Sequence, residues 1–424
     1  MKKSVRQYLE RYAEIETQIL TNWPAEFQQA MLIPAKNEDP QLIERIQSFC
    51  ERQTNTLLLL IINQAEGTAP SDTNTTLWQR GLNSGTTIWQ QDHLKLIQWQ
   101  NNSALLLIDR FSSGLQIPAK EGVGLARKIA ADVLAKLINK GFISNPWIYS
   151  SDADCTWPEN YFKKPTASHR NQLSGLGQVS DSSLNEKIVA AHFAFTHGPE
   201  QNERVLQDAQ LNVQAATELY EQSLHYYRNG LSWAGSPYNF YTIGSCLAFR
   251  VDAYCEVRGF PCRAAGEDFY LLNKLAKLGH VCYLDSQLIT IESRLSQRAP
   301  FGTGPAVTDI LEKQLDEKNY PSYHPQCFAD LKTLMENSAD FIINQQGEET
   351  IRSALNALGV QKFRRHLELQ NSKPEQFSRE FHTWFDGFRT LKFVHYLRDH
   401  YYPSIPMAQG IQQLQQWQKS VTER

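Results

Sequence analysis

The apolar run in 56–63 (TLLLLIIN), continuous from Leu57 to Ile62, sets the strongest limit on the fold. It does not alternate polar with apolar residues, as a strand with one wet face does, and reads as a strand buried on both faces. Residues 104–110 (ALLLIDR), apolar from Ala104 to Ile108, read as a further strand. Parallel neighbours need crossover connections, and the segments around the two apolar runs supply them. Residues 31–38 read as a short strand entering a polar loop. Residues 40–53 carry Leu42, Ile43, Ile46 and Phe49 at helical spacing. Residues 125–141 read as a helix with Gly141 at its C-terminal end, and 146–158 as a fourth strand breaking into an acidic turn. This order predicts an α/β fold with a mostly parallel central sheet flanked by helices.

The rest of the chain hangs on that frame. Residues 1–24 read as an amphipathic helix ended by Pro24, and 64–103 as a polar insertion, rich in Thr, Asn and Gln, over the sheet edge. Residues 187–195 and 280–294 read as strands and 200–228 as a long amphipathic helix. The stretch 241–254 is apolar and holds Gly244, and 263–279 is an acidic loop entering a helix. From about 305 the pattern is helical, with Phe381, Trp384, Phe385 and Phe388 as core candidates. The expected domains are an N-terminal helix (1–27), an α/β domain (28–304) and a helical C-terminal subdomain (305–424).

Composition narrows the partners. With 41% hydrophobic and 21% charged residues the chain is globular rather than disordered. A net charge of -3 gives no general attraction to nucleic acid or to an anionic membrane, so any anionic ligand must be held by local groups. The seven cysteines make no CxxC pair, which favours reduced thiols and a cytoplasmic location. The longest apolar run is too short to span a bilayer.

Five clusters can carry chemistry. Asp152-Ala153-Asp154 follows an apolar strand, and carboxylates two residues apart there can converge on Mg2+ or Mn2+, hard cations that bridge to a diphosphate; the same residues also read as a solvated turn or cap. Pro34-Ala35-Lys36-Asn37-Glu38 ends the first strand, where a plain turn into a helix is the competing reading. Gly122 and Gly124 open a helix whose backbone N–H groups can approach an anion, with Arg127 one turn in as a donor to a base or phosphate; a plain tight turn fits them as well. Glu267-Asp268 open another helix, where acidic residues are good helix design and a carboxylate can also take a proton from an acceptor hydroxyl. Arg294 and Arg298, with Gly302 and Gly304, suit a loop closing over phosphates, or a surface loop without a role.

Taken in order, residues 28–300 resemble the family 2 glycosyltransferases. The resemblance lies in Pro34, Asn37 and Glu38; in Gly124, Ala126 and Arg127; in Asp152 and Asp154; in the stretch from Gly244 to Arg250; and in Gly259-Phe260 followed by Glu267-Asp268. It implies a GT-A fold and a UDP- or GDP-sugar donor. It implies that Pro34, Ala35, Glu38 and Arg127 lie near the nucleotide, and that Asp154, helped by Asp152, holds Mn2+ or Mg2+. Asp268 is then the general base of an inverting transfer to an unidentified hydroxyl acceptor, with Glu267 against the acceptor or sugar. Asn63 departs from the pattern, standing where many relatives carry an Asp facing the base. The competing readings are a retaining GT-A enzyme, a nucleotidyltransferase, and a non-catalytic nucleotide-sugar-binding protein. A nucleotidyltransferase should carry a Gly-rich basic loop where this chain has Ala35-Lys36-Asn37-Glu38.

Overall fold

The two apolar runs are neighbouring parallel strands near the middle of a ten-stranded sheet. The computed structural model describes residues 3–69, 71–165, 187–198, 208–295, 302–370 and 373–422. In chain order come α1 (Lys3–Arg11), α2 (Glu16–Ile19), β1 (Gln29–Ala35), α3 (Leu42–Arg52), β2 (Thr56–Asn63), α4 (Asp72–Asn83), β3 (Thr86–Gln91), β4 (Leu94–Gln98) and β5 (Ala104–Arg110). Then follow α5 (Gly122–Lys140), β6 (Trp147–Ser150), β7 (Cys155–Thr156), β8 (Ile188–Gly198), α6 (Asp208–Trp233), β9 (Leu247–Arg250), α7 (Val251–Glu256), α8 (Glu267–Leu275), β10 (His280–Glu292) and α9 (Thr303–Glu312). The C-terminal part holds β11 (Pro321–Ser322), α10 (Pro325–Glu336), α11 (Glu349–Ala357), α12 (Val360–Gln370), α13 (Pro374–Trp384), α14 (Gly387–His400), β12 (Ile405–Pro406) and α15 (Met407–Thr422).

The described residues within 1–169, 187–198 and 242–292 form one compact unit, and those within 199–241 and 293–424 form another. The second unit thus takes in α6, which was expected within the α/β domain. The reason is packing: Tyr226 and Leu231 of α6 belong to the same apolar cluster as Phe328, Phe381, Phe385 and Phe393. A Cβ at Gly230 would lie 2.6 Å from the Phe328 ring, so the bare helix surface admits that ring.

In the first unit the sheet order is β3-β4-β5-β2-β1-β6-β9-β8-β10-β7. β5, β2, β1 and β6 are mutually parallel, and β8 and β10 run the same way, with β9 antiparallel between β6 and β8. Leu57 to Ile62 are each 0% exposed, and burying side chains of this size is worth about 1.5–3 kcal/mol apiece. The expected α/β class with a mostly parallel sheet flanked by helices is what forms. Two local expectations change. Residues 64–103 do not lie over the sheet edge but extend the sheet, through α4 and the β3–β4 hairpin paired antiparallel on β5. The N-terminal segment is two helices rather than one. It is pinned by the buried Asp132 of α5, which accepts from Tyr8 at 2.6 Å, Tyr254 at 2.8 Å, Lys128 at 2.8 Å and the Glu14 N–H at 3.0 Å.

From β1 the chain moves to β2 and β5 on one side, then returns to β6 on the other. The order therefore reverses between β1 and β6, and in open α/β sheets such a switch point opens a crevice at the carboxyl ends of the strands. Six of the seven cysteines are buried. No described helix is long and apolar enough to cross a membrane.

Candidate active site

The switch point lies where β6 leaves β1. Their pairing ends at Leu32 and Ser150, and the Ser151 N–H donates to the Leu32 carbonyl at 3.0 Å. Pro34, two residues on, faces the same side by strand alternation, where its missing N–H forfeits no ladder bond. The turn Asp152-Ala153-Asp154 then runs out over the edge. Ala153 is buried, while Asp152 and Asp154 on either side of it are half-exposed. The turn is held by Arg45 of α3, which donates to the Ala153 carbonyl, and by Trp157, whose indole N–H donates to Ser151 Oγ at 2.7 Å.

Arg127 lies behind this turn, 3% exposed. Its Nε donates to Glu267 Oε1 at 2.9 Å, and its Nη2 to Asp152 Oδ1 at 2.7 Å. Its Nη1 donates to Ser150 Oγ at 2.9 Å and to the Ser151 carbonyl at 3.2 Å. Ser150 Oγ in turn donates to the Gly244 carbonyl at 2.9 Å. Burial alone would lower the guanidinium's pKa, but Asp152, Glu267 and Asp268 outweigh it and hold the group above its ordinary value. Arg127, expected as a donor to a base or phosphate, is buried and bonded to protein groups on several segments.

The start of α8 supplies the remaining carboxylates. Gly266 precedes it at φ 75°, and the loop before it rests on the first turn of α5, with the Gly124 N–H bonded to the Arg263 carbonyl at 3.0 Å. Glu267 turns inward to Arg127 and is 4% exposed. Glu267, expected against the acceptor or sugar, is bonded here to Arg127. Asp268 is half-exposed and accepts the Phe269 N–H at 2.7 Å. Burial, then the nearby Glu267 charge, pushes the Asp268 carboxyl up to about 7. Burial pushes Asp152 up to about 6; Asp154 and Glu267 add to this against the pull of Arg127.

On the β1 side, Asn63 is buried and its amide donates to the Ala35 carbonyl at 3.0 Å, bracing the strand end rather than presenting itself to a ligand. Asn74 of α4 accepts the Asn37 N–H at 2.8 Å and donates to the Asn63 carbonyl at 3.3 Å. Asn37 takes a positive φ of 53°, which turns the chain toward Glu38, itself buried. Arg294 falls in the second unit and Arg298 lies outside the described residues, so the site is built from the first unit alone.

No group of three or more His, Cys, Asp or Glu among the described residues can hold a metal by itself. What the edge offers is two carboxylates on one turn, crowded enough that Asp154 and Glu267 both disfavour the charge on Asp152. Such a donor set fits a hard divalent cation that keeps waters and shares phosphate oxygens, as Mg2+ and Mn2+ do. Sequence reasoning missed Arg45, Asn74, Ser150 and Trp157; no motif spacing marks them, because each acts through a hydrogen bond to a distant segment.

No family model matches the sequence, and no curated protein matches it. Solved structures similar to the chain include glucosyl-3-phosphoglycerate synthase from Mycobacterium tuberculosis in complex with Mn2+, UDP and glucosyl-3-phosphoglycerate, at 13% identity and a TM-score of 0.30, over 68% of this chain and 77% of that one. GalNAc-T7 with UDP, GalNAc and Mn2+ is similar at 12% identity and 0.35, over 90% of this chain and 59% of that one. Mannosyl-3-phosphoglycerate synthase from Rubrobacter xylanophilus is similar at 12% identity and 0.28, over 73% and 82%.

Proposed function

We propose that this chain is a GT-A glycosyltransferase of family 2 type, moving a hexosyl group from a UDP- or GDP-sugar to a hydroxyl acceptor with inversion. One observation carries the reading. At the switch point of the sheet, two half-exposed carboxylates on the Asp152–Asp154 turn and the half-exposed Asp268 belong to a single network through Arg127 and Glu267. That is the pairing the chemistry needs: one place to hold a diphosphate and one base beside it.

In this reading Asp154, with the free oxygen of Asp152, would hold Mn2+ or Mg2+, which supplies positive charge to the leaving diphosphate. Asp268 accepts the proton of the acceptor hydroxyl as its oxygen bonds to the anomeric carbon, while the bond from that carbon to the diphosphate oxygen breaks. A carboxylate near 7 is a better proton acceptor than an ordinary one and is still half ionised at neutral pH. The thiols fit a reducing compartment, the cytoplasm.

The test is a thermal-shift screen of UDP, GDP and their sugars with and without Mn2+, followed by turnover of whichever donor stabilises the protein. Asp154→Ala should abolish turnover with little change in melting temperature, because a half-exposed turn carboxylate is not core. Full turnover in that variant, or in excess chelator, sinks the reading.

A further inference from the structure

We propose that Arg127 is a positioning residue that fixes the Asp152–Asp154 turn and the Glu267–Asp268 helix start relative to one another. The catalytic part of this inference rests on the reading above; the mechanical part does not. The guanidinium reaches three places in the chain at once: Glu267 through Nε at 2.9 Å, the end of β6 through Nη1, and Asp152 through Nη2 at 2.7 Å. At 3% exposure it has no face for a ligand. The two carboxylates it joins, Glu267 and Asp152, are like charges bonded to one guanidinium. What keeps two like charges on one site is the cation between them.

Gly244 supplies an independent observation. A Cβ at that position would lie 2.4 Å from Arg127 Nη2 and 2.8 Å from Cζ, so the backbone at 244 has to be bare for the guanidinium to sit where it does. The same residue's carbonyl takes the Ser150 hydroxyl that also accepts from Nη1. The planar fork is therefore packed on one side and hydrogen-bonded along its edges. A lysine carries the charge but cannot span two carboxylates in fixed geometry.

Two measurements on the full chain test this. Glu267→Gln should speed amide exchange not only at 264–270 but also at 151–156, a segment with which Glu267 makes no hydrogen bond of its own in the network described. Acceleration confined to 264–270 would overturn the clasp. Arg127→Lys should lower kcat by about 100-fold, the usual effect of a misplacement near 1 Å, while the donor KM moves only a few-fold. Wild-type kcat in that variant would overturn it as well, and so would a loss confined to KM. Gly244→Ala, which presses on the guanidinium without removing its charge, should lower kcat in the same way and stands in if Arg127→Lys fails to fold. If the wild type turns over no nucleotide sugar, the transferase reading fails, and the exchange experiment still decides the clasp.

Discussion

Gly124→Ala separates a site effect from a stability effect. In the first turn of α5 an alanine should gain about 0.5–1 kcal/mol over glycine from backbone entropy. Here the new Cβ would lie 2.5 Å from the Pro261 carbonyl oxygen and 2.6 Å from both N and O of Arg263. All three are backbone atoms, so no side chain can swing away. To restore a contact of 3.4 Å the loop must retreat by roughly 1 Å, stretching the Gly124 N–H to Arg263 O bond of 3.0 Å. Overpacking of this kind costs about 1–3 kcal/mol, leaving a net loss of about 0–2.5 kcal/mol after the helix gain. For a unit of this size that lowers the melting temperature by at most about 10 °C. The same loop leads into Glu267 and Asp268, however, and a shift near 1 Å there should lower kcat/KM by about 100-fold. The assay is donor turnover with Mn2+ beside a thermal melt. A kcat/KM within about threefold of wild type would refute the view that this contact sets the position of the base.

Asp268→Asn should lower kcat by about 10²–10⁴-fold and remove the acid limb of the wild-type pH profile, which falls as pH drops through about 7; a small change with retained anomeric configuration would favour a retaining route instead. Asp152 and Asp268 are both raised in the folded state, so the stability they contribute is present below the ordinary carboxylate range and is lost as pH rises through about 6 and about 7. The Mn2+-induced rise in melting temperature should accordingly be larger at about pH 8 than at about pH 5.5, and an equal rise at both would count against a cation at these carboxylates. Asp132→Asn should destabilise by about 3–5 kcal/mol, since Lys128, Tyr8 and Tyr254 lose a shared buried acceptor charge. Hydrogen exchange should then rise first over α1; unchanged protection there would contradict the anchoring role.

The parts of the fold legible in the sequence are those whose burial is symmetric. Leu57–Ile62 of β2 and Ala104–Ile108 of β5 are all apolar because both of their faces are covered, and such a run reads the same in sequence as in space. β3 is the opposite case. Thr86–Gln91 is an exposed edge strand built of Thr, Ile, Trp and Gln, and only its pairing with β4 makes it a strand. No period in the sequence announces that. The carboxylates of the site were legible as motifs, because strand ends and helix starts leave local signatures. The role of Arg127 was not, since its partners Asp152 and Glu267 stand 25 and 140 residues away. A buried arginine and a phosphate-binding arginine look alike until the other side of the bond is known.

The balance of charge at the edge argues for something that stability alone does not explain. Asp152, Glu267 and Asp268 all act on the Arg127 guanidinium, so three carboxylates share one cation. All three are at least half-buried alongside it, where unpaired anions are costly. A fold answering only to stability would gain by replacing one of the acids with an apolar residue of similar size. The excess negative charge becomes favourable when a proton or a divalent cation joins it, and the raised carboxyls are the mark of the proton doing so. Protons and cation then compete for one site, which is why metal response and pH response should move together. Crowding of this kind, held by a buried arginine at the carboxyl ends of the strands, suits the preorganised site of the proposed transfer.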